Sequence, residues 1–291
     1  MELYNDQIHA PAFQKECTHF WSDDVSREKK SGVWDYFVNC SKEFDKPLVD
    51  QTNIPKSGVI FVGMCHILED VFDKLPHDGN YLIVHRTNDR PFTWAMHQRK
   101  PPSVKHIYTV DCQINRDDTT AIPFGLASIN GEDNLVIQIA QEEVTPAETK
   151  LFCCYNTNPA TPHRNLSVEY LAGKKFANVF KCEYPHKQMP GDEFYRQVKS
   201  HKFTMALAGC GADASRQWAS IILGSIPIVT DCVEMRHFED LPLIFCPNNM
   251  NELTEDWLSL QLNATQGKST ERMRMSYWAN HIKDMRNKHG I

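Results

Sequence analysis

The sequence predicts an α/β protein built from two doubly wound halves, and three observations carry that prediction. Short apolar runs recur at helix-length intervals from Gly58 to Phe245. Strands separated by helix-length pieces imply parallel sheets. The stretch 202–245, KFTMALAGCGADASRQWASIILGSIPIVTDCVEMRHFEDLPLIF, reads as strand, glycine loop, helix and strand. The third observation is a polar, acidic interruption, QEEVTPAET at 141–149, with Pro146 inside it. It marks a link between two domains.

In the first half, Val59 to Met64 reads as a buried strand and Ile67 to Leu75 as a helix ending at Pro76. Tyr81 to Val84, Ile107 to Val110 and Ala121 to Phe124 follow as further strands. The second half opens at Leu151 to Tyr155 and continues with Phe176 to Cys182, Phe203 to Ala208, Ile226 to Val229 and Leu243 to Phe245. The residues from Lys268 onward alternate charge with Met273, Met275, Tyr277, Trp278 and Ile282, and predict a closing helix that crosses back onto the first domain. The expected division is therefore 1–145, 146–267 and a closing segment 268–291. Two Rossmann-like domains facing a cleft is the architecture this order suggests.

Composition sets limits on function. At 291 residues the chain has room for two domains, and its 41% hydrophobic and 23% charged residues are ordinary for a globular protein. A net charge of -6 gives no reason to expect a nucleic-acid partner. No apolar run is long enough to span a membrane, and the start MELYNDQIHAPAFQKE lacks the pattern of a signal peptide. The ten cysteines include no C-x-x-C pair. Several lie inside strand-like runs, as small buried hydrophobes do. A reducing, cytoplasmic location is the expectation. The sequence leaves the oligomeric state open.

The stretch from Phe203 carries the strongest functional signal. Loop amides and a helix N-terminus favour an anionic phosphate, and Arg216 adds a fixed charge with a bidentate fork. The loop and helix start, Gly209, Cys210, Gly211, Asp213, Ser215 and Arg216, thus form the expected phosphate site. With Trp218, Gly224 and the run Ile226 to Val229, the ordered string resembles the C-terminal signature of exostosin-type glycosyltransferases. IPFGLAS at 122–128, HRTNDRPF at 85–92 and LFCCYNTNPATPHR from Leu151 are similar to further segments of that family. The likeness covers about residues 58 to 245.

The resemblance implies the glycosyltransferase-B arrangement, with a nucleotide-diphosphate sugar on the second domain and a glycan acceptor mainly on the first. Short unanchored members of the family resemble xylosyltransferases encoded by large algal viruses, which points to a uridine donor such as UDP-xylose. Arg164 is the next phosphate candidate after Arg216. Asn156 and Thr157, at a strand exit, are candidate donors to phosphate or sugar, and Asp231 and Glu234 flank the expected nucleotide. Trp218 is expected to pack in the core.

Inverting transfer needs a base at a strand end of the first domain. His66, His85 and Asp89 meet that condition, with His66 and Asp89 preferred. No Asp-x-Asp follows a strand and no His or Cys ligand set is visible, so no metal or other cofactor is expected. Two departures from the family, Ala208 for an Arg and Ala219 for a Glu, motivate an alternative: a non-catalytic nucleotide- or glycan-binding protein that retained the fold.

Overall fold

The computed structural model describes residues 6–8, 10–21, 47–63, 68–86, 90–127, 131–156, 161–183, 188–209 and 211–291. Contacts divide the chain into two units, Asp6–Asn130 with Met273–Ile291, and Gly131–Arg272. Each holds one five-stranded sheet, and every pairing between the strands is parallel.

The first unit runs α1 (Ala10–Glu16), β1 (His19–Trp21), β2 (Ser57–Val62), α2 (Leu68–Lys74), β3 (Asn80–His85), α3 (Trp94–Gln98), β4 (Val104–Thr109) and β5 (Thr119–Ala121). Its strands lie in chain order across the sheet. Val59 to Val62 and Tyr81 to Val84 are buried on both faces, as parallel strands between covering layers require. Met273–Ile291 brings in α10 (Met275–His289), whose Met275, Trp278 and Ile282 join the core made by Phe13, Phe20, Phe61, Val84 and Tyr108. The Trp278 and Phe13 rings lie 6.3 Å apart.

The second unit contains α4 (Glu132–Gln141), β6 (Leu151–Asn156), α5 (Pro162–Leu171), β7 (Ala177–Cys182), α6 (Gly191–Ser200), β8 (Phe203–Ala206), α7 (Ser215–Ile222), β9 (Ile226–Val229), α8 (Val233–Arg236), β10 (Ile244–Phe245) and α9 (Glu255–Thr265). The strand order is β10-β9-β8-β6-β7. The chain therefore reverses its direction of travel across the sheet between β6 and β8.

The strands sit where the apolar runs predict them, with ends shifted by a few residues. Two features of the first unit were not foreseen. β1 lies ahead of the apolar runs that begin at Gly58, because a three-residue edge strand leaves too short a pattern to detect. The division between units falls at 130/131 rather than 145/146. The reason is α4, which packs on α6 and α7 of the second unit. The acidic stretch 141–149 is a connection inside that unit, running from α4 into β6. Among the described residues, no helix is long and apolar enough to cross a membrane.

The IPFGLAS stretch has a structural explanation. Gly125 has φ +73°, and a Cβ there would stand 2.2 Å from the Ile8 carbonyl oxygen, which accepts the Leu126 amide at 2.8 Å. Only glycine permits both the left-handed turn and that approach.

Two stability predictions follow from the α10 packing. Trp278 is 1% exposed, so Trp278→Ala should cost about 3–5 kcal/mol, read as a lower midpoint in chemical denaturation. His106 lies beneath the same helix, with Nε2 and Thr120 Oγ1 2.8 Å apart. Burial first, then His281, lowers its pKa from 6.5 to about 4; His289 and Lys288 push the same way, against Asp118. Because the folded value is depressed, the unfolded chain takes the proton first. His106 therefore supports the fold above pH 6.5, and that support is lost as pH falls toward about 4. A His106→Asn variant should show a shallower loss of stability across that window.

Candidate functional site

The carboxyl ends of β6 and β8 carry the site. These strands pair only at Leu151 with Phe203 and Phe152 with Thr204, whereas β6 stays paired with β7 along all of Leu151–Asn156. Beyond Thr204 the backbone groups that face the gap need other partners, since buried amides and carbonyls are rarely left unpaired. Side chains supply them. The Leu207 amide donates to the Tyr155 hydroxyl at 2.6 Å. Arg216 Nη1 donates to the Cys154 carbonyl at 2.8 Å. Arg164 donates through Nε and Nη2 to the Leu207 carbonyl, at 3.2 and 2.8 Å.

The two arginines cross between strands. Arg164 starts the helix after β6 and reaches the end of β8; Arg216 starts the helix after β8 and reaches β6. Both guanidiniums lie over the Tyr155 ring, at 4.9 and 4.6 Å from its centroid, and Arg216 also lies 4.9 Å from the Phe194 ring. Tyr155 itself is 1% exposed, and burial raises its hydroxyl pKa to about 12. It remains a neutral phenol at any working pH. The Cys153 and Cys154 thiols beside it are likewise held neutral, pushed to about 12 by burial.

The glycine loop differs from expectation. The amides predicted to cradle phosphate near Gly209 are already engaged: Leu207 with Tyr155, Ala208 with Thr230 Oγ1 at 2.8 Å, and Gly209 with the Gly211 carbonyl at 2.9 Å. Gly209 serves a different need. A Cβ there would sit 2.7 Å from Arg164 Nη2, so the glycine gives the guanidinium room to lie against the loop. The His163 ring, one residue before Arg164, places Nε2 2.7 Å from the Ala208 carbonyl oxygen.

Other predicted residues have distinct placements. Asp213 is 4% exposed and accepts from the Trp218 indole at 2.5 Å. It orients the helix start, and is not open for a ligand. Trp218 is fully buried against Phe238, as the sequence suggests. Asp231 is held in a two-pronged pair by Arg236, at 2.7 and 2.5 Å. Glu234 is buried beside Cys232, whose thiol is raised to about 12, chiefly by burial. Both acids thus have local partners. Ala219, where the family resemblance calls for Glu, is 1% exposed inside the core.

Ser215 bonds Glu132, a residue that the sequence did not single out. Glu132 opens α4 and also accepts the Tyr195 hydroxyl. Burial raises its pKa, opposed by the Ser215 bond and the Arg216 charge. No sequence signal marks this contact, because α4, α6 and α7 meet only in the fold. Tyr155 was equally hidden, as one apolar position among several in a strand.

In the first unit, His85 ends β3 at 2% exposure, with Nδ1 3.0 Å from Thr109 Oγ1. That enclosure does not suit a base that must reach an acceptor. Arg86, beside it, is buried, donates to the Phe124 carbonyl, and lies over the Phe13 and Phe124 rings. His66, Asp89, Thr157 and Cys210 lie outside the described residues, as does the side chain of Asn156. Among the described residues, no three His, Cys, Asp or Glu side chains gather as a metal site.

No family model and no curated protein matches the chain, so the exostosin resemblance rests on the quoted residues alone. A solved structure described as an alpha1,3-fucosyltransferase is similar over 92% of this chain and 89% of its own, at 12% identity and a TM-score of 0.47.

The hydrogen bond of Tyr155 gives a direct test of the local geometry. Tyr155→Phe keeps the ring under both guanidiniums and strands the Leu207 amide. It should cost about 1–3 kcal/mol in denaturant unfolding.

Proposed function

We propose that the chain is a glycosyltransferase using a nucleoside-diphosphate sugar, with the diphosphate held at the parted carboxyl ends of β6 and β8. The observation that carries this reading is the convergence of Arg164 and Arg216 on Tyr155 at that point. In open parallel sheets, ligands bind beyond the carboxyl ends of the strands where the strand order reverses. The β6/β8 junction is that reversal in this sheet. The motif resemblance supplies the reaction class, and it supports the nucleotide sugar as donor.

The chemistry asks for what this arrangement offers. The bond from the sugar's anomeric carbon to the diphosphate breaks, and a bond to the acceptor oxygen forms. The acceptor's proton passes to a base, for which His66 and Asp89 remain the proposed residues. Negative charge grows on the departing diphosphate, and preorganised cations stabilise it without a metal ion. The Cys154 carbonyl uses one of the five N–H donors of Arg216. The guanidinium therefore stays fixed by its strand contact while the remaining fork faces phosphate oxygens. A uridine donor, inversion and metal independence belong to the same proposal, with UDP-xylose as the specific candidate.

Thermal shift against uridine, guanosine and cytidine diphosphates tests the site. A ligand at about 100 times its Kd should stabilise the protein by about 2.7 kcal/mol. Arg216→Ala should abolish the shift, and Arg216→Lys should keep part of it through charge without the fork. If no nucleoside diphosphate shifts the wild type, the donor site is misassigned. Binding without transfer from any of a panel of sugar nucleotides, with EDTA present or absent, would instead favour the non-catalytic alternative motivated by Ala208 and Ala219.

A further inference from the structure

Trp94 is the one exposed tryptophan among the described residues, with 48% of its surface open, and the donor site gives it no task. A single exposed apolar side chain needs no explanation. Trp94 differs because it is held. It opens α3, and the His97 ring, one turn on, stacks with the indole at 5.3 Å between centroids and 15° between planes. His97 is itself fixed on two sides. The buried Phe92 ring meets it edge-on at 6.4 Å, and its Nε2 donates to Asp118 Oδ1 at 2.8 Å. Asp118 Oδ2 is in turn paired with Lys100 Nζ at 3.1 Å. The Arg116 guanidinium lies over the indole as well, 5.4 Å from the ring centroid. The backbone is tied at both places. The Phe92 amide donates to the Asp111 carbonyl at 2.9 Å, and the Thr119 amide donates to the Arg116 carbonyl at 3.0 Å. All these residues belong to the first unit.

Ordering an exposed indole and a long cation costs side-chain entropy that burial does not offset. It helps binding instead, because a rigid surface has less freedom to lose when a ligand arrives. The polar edges of this shelf are open. Among the described residues, neither the indole Nε1–H nor the Arg116 guanidinium has a hydrogen-bond or ion-pair partner. Both groups only donate. A ligand that fits must therefore lay an apolar face on the aromatic and bring acceptor oxygens to its rim. A purely apolar partner would cover those donors and leave them unmet.

We propose that Trp94, His97 and Arg116 form a carbohydrate-binding shelf, with a pyranose ring of the acceptor glycan against the indole and its oxygens on the Arg116 fork. This inference rests on the glycosyltransferase reading for the choice of a glycan, and it gives the acceptor a place in the first unit. A pyranose has the required two-sided character: C–H bonds on the faces of the ring and oxygens around its edge. Arg116 can direct two parallel N–H bonds at neighbouring oxygens. Asp118 does not oppose this, since His97 and Lys100 engage its carboxylate. Asp117, next to Arg116, is exposed to water, where its charge is screened.

The test uses the full chain, isotope-labelled at its tryptophan indoles, and follows their N–H signals by NMR. Trp94→Phe assigns the Trp94 signal. Methyl pyranosides of xylose, glucose, galactose and glucuronic acid are each titrated to about 50 mM, which detects binding in the millimolar range. At least one should move the Trp94 signal saturably and leave those of the buried Trp218 and Trp278 in place. Arg116→Ala, a change at an exposed side chain, should raise the Kd about tenfold by removing charge-assisted hydrogen bonds. A Trp94 signal unmoved by the whole panel, an unchanged Kd in Arg116→Ala, or an equal shift with uridine alone would overturn the inference.

Should Trp94→Phe fail to fold, saturation-transfer NMR observed on the pyranoside compares wild type with Arg116→Ala and needs no assignment. Equal transfer in the two proteins would count against the shelf. The nucleoside-diphosphate thermal shift keeps the two readings apart. A pyranoside response without that shift would remove the donor site and leave the shelf standing. The shift without any pyranoside response would do the reverse.

Discussion

The parting of β6 from β8 is the constraint on which the second unit depends. Two adjacent parallel strands that pair at only two positions leave backbone donors and acceptors facing a gap. Tyr155, Arg164 and Arg216 answer those groups one by one. The same side chains bring two positive charges to the point where the strand order reverses. Structure and candidate function are joined there: the cations that brace the sheet are the cations available to a diphosphate.

Holding two guanidiniums around one aromatic ring has consequences nearby. Like charges repel, and the phenol ring beneath them offers a face of negative quadrupole that eases their approach. Glu132 adds an opposite charge at the start of α7, together with Ser215 and Tyr195. Gly209 leaves space for Arg164, and Asp213 fixes the helix through Trp218. Gly209 and Asp213 thus have mechanical roles, one making room for Arg164 and the other holding the helix that carries Arg216. The amide of Gly209 is turned inward, to the Gly211 carbonyl.

The first unit is organised by a different device. Its sheet is covered in part by α10, a helix from the opposite end of the chain. Trp278 and Ile282 fill the core beside Phe13, and His106 and Tyr108 lie under the same helix, with Tyr108 Oη 2.9 Å from His281 Nδ1. Burial of His106 without its charge ties this packing to pH.

The sequence by itself determined the positions of the strands other than β1, the α/β class and the helix that begins after the glycine loop. Each of these follows from local periodicity: runs such as Val59 to Val62 and Ile226 to Val229 are apolar at every position because parallel strands bury both faces. Arg164 and Arg216 were legible too, since each stands one turn into a helix that follows a strand. The tertiary structure decided the rest. Tyr155 looked like any strand residue, Glu132 carried no signal, and the residues of α4 counted as part of the first domain. Asp213, Asp231 and Glu234 looked like ligand contacts until their partners Trp218, Arg236 and Cys232 were in place. Which polar group meets which depends on distant segments coming together, and a linear pattern carries no record of those distances.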